Sequence, residues 1–169
     1  GEPKSCNIVT SCEDKGKTFI MFSDDLDKAL ATFVLANGAA ATGQKVTIFF
    51  TFWGLNVIKK LHKPNVEKDI FGKMFGMMLP SSSRKLKLSK MSMGGIGGKM
   101  MRYIMNRKGI DSLESLRQQA LENGVEFIAC QMSMDVMGVK QEELLDEVTI
   151  GGVATYMERA DNANINLFI

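Results

Sequence analysis

Of the side chains able to act as soft nucleophiles or metal ligands, Cys130 has the most distinctive setting. It ends the apolar run "VEFIAC" and is followed by "QMSMDVMG", which holds Met132, Met134 and Met137. Three chemistries fit such a residue. A free cysteine packs well as a small core hydrophobe. A thiolate beside thioethers suits a soft ion such as Cu(I). A cysteine where a strand gives way to a helix can be a nucleophile, its thiolate favoured by backbone N–H groups and the helix dipole. A helical turn beginning near Ser133 would supply those groups, whereas Asp135 would oppose them unless it accepts a hydrogen bond or relays a proton.

Other reactive constellations are weaker. Acyl transfer needs a nucleophile with a partnered base, and the only histidine is His62. Zinc needs four ligands; Cys6 and Cys12 stand in a polar opening stretch with no further Cys/His pair to join them. A flavin or nucleotide phosphate would need a cradle after the first strand. There the chain reads "SDDLDK", three carboxylates that repel phosphate. The run "GGIGGK", Gly94, Gly95 and onward to Lys99, lacks a Walker pattern and follows no strand. Its amides and Lys99 could still cradle an oxyanion or persulfide. The residues imply no cofactor and no bound metal as the leading reading.

The elements that must position Cys130 read as strand and helix in alternation. "KTFIMFS", "QKVTIFFTFW", "VEFIAC", "EVTIG" and "NINLFI" are short apolar runs of the kind buried on both faces of a parallel sheet. Between the first two, Asp24 or Asp25 can cap a helix. Leu26, Leu30, Phe33 and Val34 would share its inner face, and Gly38 or Gly43 would stop it. "GLNVIKKLHK" reads as a short helix, and "KQEELLD" as another. "DSLESLRQQALENG" is a helix capped by Asp111 or Ser112, with Leu113, Leu116, Ala120 and Leu121 inward and Gly124 at its end. A last helix covers "GVATYMERADNA". This order predicts one α/β domain, a flavodoxin-like layered fold with a mostly parallel sheet of about five strands. Open parallel sheets carry their chemistry beyond the C-terminal strand ends. Cys130, Ser23 to Asp25, Phe52 to Gly54 with Trp53, and Gly151 to Gly152 all fall there.

Charge divides the chain. Between Lys59 and Lys108 lie 13 of the 21 Lys/Arg and 2 of the 19 Asp/Glu, leaving 8 basic and 17 acidic residues elsewhere. Residues 65–108 also hold eight of the 13 methionines. A basic Met/Gly-rich insertion of this kind reads as a lid, an oligomer interface, or a peripheral membrane contact. The overall charge of +2 excludes a dedicated nucleic-acid binder. The longest apolar run, Ile70 to Leu79, contains Lys73 and falls short of the roughly 20 residues a membrane span needs. Residues 1–16 are polar and unpatterned, the expected linker or cloning remnant before a folded unit of 17–169. Without a visible signal peptide or a cysteine framework, a reducing cytoplasm is the expected compartment.

Cys130-x7-Gly138-Val139, "MSMDVMG", and the opening "FSDDLDKALATFVLANGAAATGQKVTIFFTFWG" resemble the Met-rich branch of the DsrE/TusD-like (DsrE/DsrF-like) sulfur-relay family, over roughly 17–169. The resemblance implies a flavodoxin-like fold, a homo-oligomer, and Cys130 as carrier of sulfur in a persulfide, a sulfurtransferase-like role. It further implies rhodanese-like or TusA-like partners. Asp135, Val136 and Met137 stand where better-studied members carry basic residues, and those members lack the insertion. Two alternatives stay open: a non-catalytic interaction module at an oligomer or membrane surface, and a Cu(I)-binding protein.

Overall fold

A computed structural model describes residues 15–61, 73–74, 79–80, 82–91, 94 and 96–169. Cys6, Cys12, His62, Gly95 and nearly all of the expected linker lie outside the described residues, as does much of the insertion's first half. Five strands, β1 (Gly16–Met21), β2 (Val46–Phe50), β3 (Glu126–Cys130), β4 (Thr149–Gly151) and β5 (Ala163–Phe168), form one sheet in the order β4-β3-β2-β1-β5. Every neighbouring pair is parallel. The expected flavodoxin-like layered α/β fold is therefore present, and its sheet is parallel throughout.

The chain walks from β1 to β4 in one direction, then returns across the sheet to place β5 beside β1. Helix α1 (Leu26–Ala41) follows β1, and helices α2 (Ile96–Arg107) and α3 (Leu113–Glu122) lie between β2 and β3. Helix α4 (Gln131–Met137) follows β3, and α5 (Val153–Asp161) carries the return to β5. Because side chains alternate along a strand, the two sheet faces build separate cores. Phe19, Met21, Ile48, Phe50, Phe127 and Ala129 join Phe33 of α1, Leu113 of α3 and Met134 of α4 in the large one. Phe127 stands edge-on to Phe50 with ring centroids 5.3 Å apart, and 5.8 Å from Phe33. The other face holds a small cluster, Phe49, Ile128, Cys130 and Tyr156 of α5. With burial stabilising each large apolar side chain by about 1.5–3 kcal/mol, the first face carries most of the fold's hydrophobic stabilisation.

Several local expectations need correcting. The edge strands β4 and β5 are not buried on both faces: β5 is exposed from Asn164 to Phe168, and β4 is exposed at Thr149. Helix α1 runs through Gly38 and ends before Gly43, whose φ of 82° suits glycine. Its buried line is Leu26, Ala29, Thr32, Phe33 and Ala36, so Val34 faces solvent. The stretch after β2 is a 3-10 turn, Phe52–Ile58, rather than an α-helix. "KQEELLD" reduces to a single 3-10 turn, Gln141–Glu143. The later part of "GGIGGK" is helical: Gly97 and Gly98 are buried within α2, where a Cβ on Gly98 would stand 3.3 Å from the Leu86 carbonyl oxygen.

The turn after β2 is held from two sides. Arg117, buried in α3, donates from Nη1 to the carbonyls of Val57 (2.9 Å) and Lys59 (3.2 Å). Gly54 donates to the Phe22 carbonyl at 2.8 Å, and a Cβ there would meet the Met21 carbonyl oxygen at 1.9 Å. The Trp-Gly pair thus marks where the chain leaving β2 crosses the end of β1 backbone to backbone. Gly54→Ala must push these backbones apart. The expected loss is about 3 kcal/mol, the upper end for overpacking, read as a lower urea midpoint; an unchanged midpoint would refute the close approach.

Candidate functional site

Strand β3 ends in Cys130, and Cys130 is also the N-cap of α4. The helix therefore begins at Gln131, two residues earlier than Ser133 suggests. It ends at Gly138, whose φ of 64° and ψ of 28° are left-handed and whose N–H returns to the Met134 carbonyl. The seven residues between Cys130 and Gly138 are this two-turn helix, which gives the Cys-x7-Gly spacing a geometric cause. Ser133, missed in the sequence as a contributor, is buried and shares a 2.8 Å hydrogen bond with the Thr51 hydroxyl at the end of β2.

Alternation along β3 turns Ala129 toward the large core and Cys130 to the other face. The thiol-bearing residue is only 2% exposed, packed with Phe49, Ile128 and Tyr156. The accessible cysteine expected for sulfur exchange is thus covered in this conformation, and α5 is what covers it. Gly151, the register partner of Cys130 on β4, lets α5 approach: a Cβ there would be 3.0 Å from the Ile128 side chain and 3.3 Å from that of Thr155. Two polar ties hold α5 down. The Tyr156 hydroxyl and Thr18 Oγ1 are 3.1 Å apart, with Thr18 also bonded to Asn166. Arg159 donates to Glu126 at the start of β3 at 2.8 Å.

The remaining predicted residues divide among three places. Asp135 is exposed on α4, where its carboxylate accepts from Gln131 Nε2 at 2.9 Å; that bond, rather than one to Cys130, is its observed partnership. Met132 is exposed and Met134 buried in the large core, so the two thioethers face opposite ways and do not converge beside the thiol. Trp53 lines a cleft of about 570 Å³ with Asp24, Asp25, Lys85 and Lys87. Ser23 adjoins it as a turn, its hydroxyl donating to Asp25 Oδ2 at 2.9 Å and accepting from the Asp25 N–H at 3.1 Å. Gly94, with φ 72°, precedes α2, and Lys99 is exposed on that helix.

The insertion's described parts pack on the face opposite Cys130. Leu86 enters the large core, the Leu26 N–H bonds to the Lys87 carbonyl at 2.6 Å, and the Ser89 N–H to Asp27 at 2.9 Å. Arg102 of α2 reaches the Ser83 carbonyl at 3.1 Å and Glu114 of α3 at 3.6 Å. Among the described residues, then, neither the shielding expected of a lid nor the Gly94–Lys99 cradle reaches the thiol.

The cleft contains one perturbed carboxyl. Burial pushes Asp24 above the ordinary range, and neighbouring Asp25 adds to that; the 2.9 Å hydrogen bond from Asn56 and the charge of Lys59 pull the other way. A carboxyl raised by folding contributes stability below its unfolded pKa, and that contribution is lost as pH rises through the folded value. Asp24→Asn keeps an acceptor for Asn56 and removes the charge. Its gain in Tm over the parent should be larger near neutral pH than under acidic conditions. Equal gains at both would show that ionisation of Asp24 is not the cause.

Similarity to known proteins covers nearly the whole chain. Residues 13–168 match the DsrE/DsrF/DrsH-like family. "Uncharacterized protein YrkE" of Bacillus subtilis (strain 168) is 43% identical over 157 residues, 93% of this chain and 98% of that protein. "Sulfur carrier protein DsrE2" of Allochromatium vinosum is 38% identical over 161 residues, 93% of this chain and 99% of that one. The crystal structure of the ychN protein from E. coli has the same fold, with a TM-score of 0.54 at 9% identity, over 92% of this chain and 99% of that one.

Proposed function

Since the chain belongs to the DsrE/DsrF/DrsH-like family, we propose that it is a sulfur carrier in which Cys130 holds sulfane sulfur as a persulfide. The observation that carries this reading is Cys130 itself, a free cysteine at the C-terminal end of a central parallel strand. Near-full-length similarity to a sulfur carrier protein supports it.

The exchange balances without a metal or an oxidant. The Cys130 thiolate attacks the outer sulfur of a donor hydropersulfide, forming an S–S bond as the donor's own S–S bond breaks. The donor departs as a thiolate, and Cys130 is left as Cys–S–SH. An acceptor thiolate then attacks that outer sulfur and releases Cys130 as thiolate. Rhodanese-like or TusA-like proteins fit the donor and acceptor roles, and a homo-oligomer fits the family. Because Cys130 is covered by α5, transfer requires α5 to lift, and docking of a partner is the natural occasion.

Intact mass of the protein after exposure to a sulfane-sulfur donor tests the site. One added sulfur atom, absent in Cys130→Ser and discharged by a thiol, is the expected result. No adduct, on protein whose Cys130 reacts normally once unfolded, would leave the packed core thiol of an interaction module as the answer.

Tyr156→Phe tests the covering helix. It removes the hydroxyl bond to Thr18, which keeps Asn166 as partner. A hydrogen bond of about 1 kcal/mol corresponds to roughly fivefold faster labelling of Cys130 by a small thiol reagent. An unchanged rate would mean that the thiol is reached by a route other than α5.

A further inference from the structure

Helix α2 has two apolar stripes where folding requires one. Gly97, Gly98 and Met105 are buried and Met101 packs on the large core, all toward the body. At 100° per residue, Ile96, Met100, Tyr103 and Ile104 fall together on the opposite side. These four are between 41% and 64% exposed. A helix packed by one face ordinarily shows a polar surface outward. Here the outward stripe is apolar, with positive charge in and around it.

Lys99 and Lys108 flank the stripe, and Arg107 lies within it, its guanidinium 5.9 Å from the Tyr103 ring centroid and 3.3 Å from the Tyr103 hydroxyl. Arg102 points inward to Glu114 and Ser83 and is already used by the fold. Among the described residues, the acidic side chain that pairs with α2 is that Glu114. Residues 70–110 hold nine Lys/Arg and no Asp/Glu.

We propose that α2 is a membrane-surface helix: Ile96, Met100, Tyr103 and Ile104 enter the headgroup boundary of an anionic bilayer while Lys99, Arg107 and Lys108 meet lipid phosphates. Basic flanks around an apolar face are what such a surface recognises, and tyrosine is suited to the apolar-to-wet boundary. The size of the stripe favours lipid over protein. Four side chains on a helix of twelve residues fall well short of the roughly 20–30 residues per partner in a standard protein interface. A bilayer takes a single helix face of this kind. Among the described residues no helix is long and apolar enough to cross a membrane, so the contact is peripheral.

The full chain is mixed with phosphatidylcholine vesicles and with vesicles containing phosphatidylglycerol, then sedimented. Retention by the anionic vesicles alone, weakened in high salt, is expected. The double variant Met100→Asp, Ile104→Asp should lower retention at least about tenfold by removing apolar contact and adding negative charge. Its thermal unfolding should match the parent, since both side chains are exposed. Absence of retention, equal retention by neutral vesicles, or retention unaffected by the double variant would each overturn the proposal. So would loss of self-association in the double variant without any vesicle binding by the parent, which would assign the stripe to a second copy of the chain.

Discussion

The pleat of β3 governs the arrangement of this molecule. Its two-residue period sends Phe127 and Ala129 into the helical layer and Ile128 and Cys130 to the opposite face. A slip of one residue against β2 would exchange the two sets, putting a phenylalanine under α5 and a thiol into the large core. The register is pinned on both sides, by Phe49 opposite Ile128 and by Gly151 opposite Cys130. Neither partner could be much different. Phe49 supplies the ring on which Tyr156 packs at 5.2 Å, and Gly151 makes room for α5.

From that constraint follows an unequal division of labour. The face carrying Phe33, Phe50 and Phe127 is broad and covered by several elements, and it accounts for most of the apolar burial. The face carrying Cys130 depends on α5 for cover, with a small cluster and two polar ties. Local opening is governed by how little has to be given up. The Cys130 thiol thus lies under the smaller of the two clusters, apart from the scaffold on the other face. Sulfur chemistry that needs both protection from solvent and periodic access is compatible with such an arrangement.

Much of this was legible in the residues. Apolar runs without polar alternation located the strands and were right about burial for β2 and β3, though not for the edge strands β4 and β5. The placement of Cys130 at a strand end was evident from "VEFIAC" followed by a polar Gln131. What escaped was tertiary. Whether a strand-end cysteine faces solvent or a helix depends on where the chain returns after β4, and that crossover leaves no local mark. Val34 shares an apolar character with Phe33, and packing on the sheet, where Phe33 meets Phe50 and Phe127, decides which one is inward. Glycine is a poor helix former, yet Gly97 and Gly98 sit in a helix pressed against the Leu86 backbone, where the lack of a side chain is an advantage. Nothing in the sequence around Arg117 marks its role, because no local pattern announces two distant carbonyls that need a donor.

Helix α4 also acts as a measuring rod. Its start is set by the end of β3 and its finish by the left-handed turn at Gly138, after which Val139 is buried in the large core. Inside those limits Gln131, Met132, Asp135 and Val136 are turned to solvent, whereas Ser133, Met134 and Met137 are committed to the interior. One residue more would rotate everything after it by about 100°, lifting Met137 out and burying a polar neighbour. The segment beside the thiol can therefore drift freely in composition on one side while its length is fixed. That is how an aspartate can stand three residues from a glycine whose spacing from the cysteine stays at eight positions.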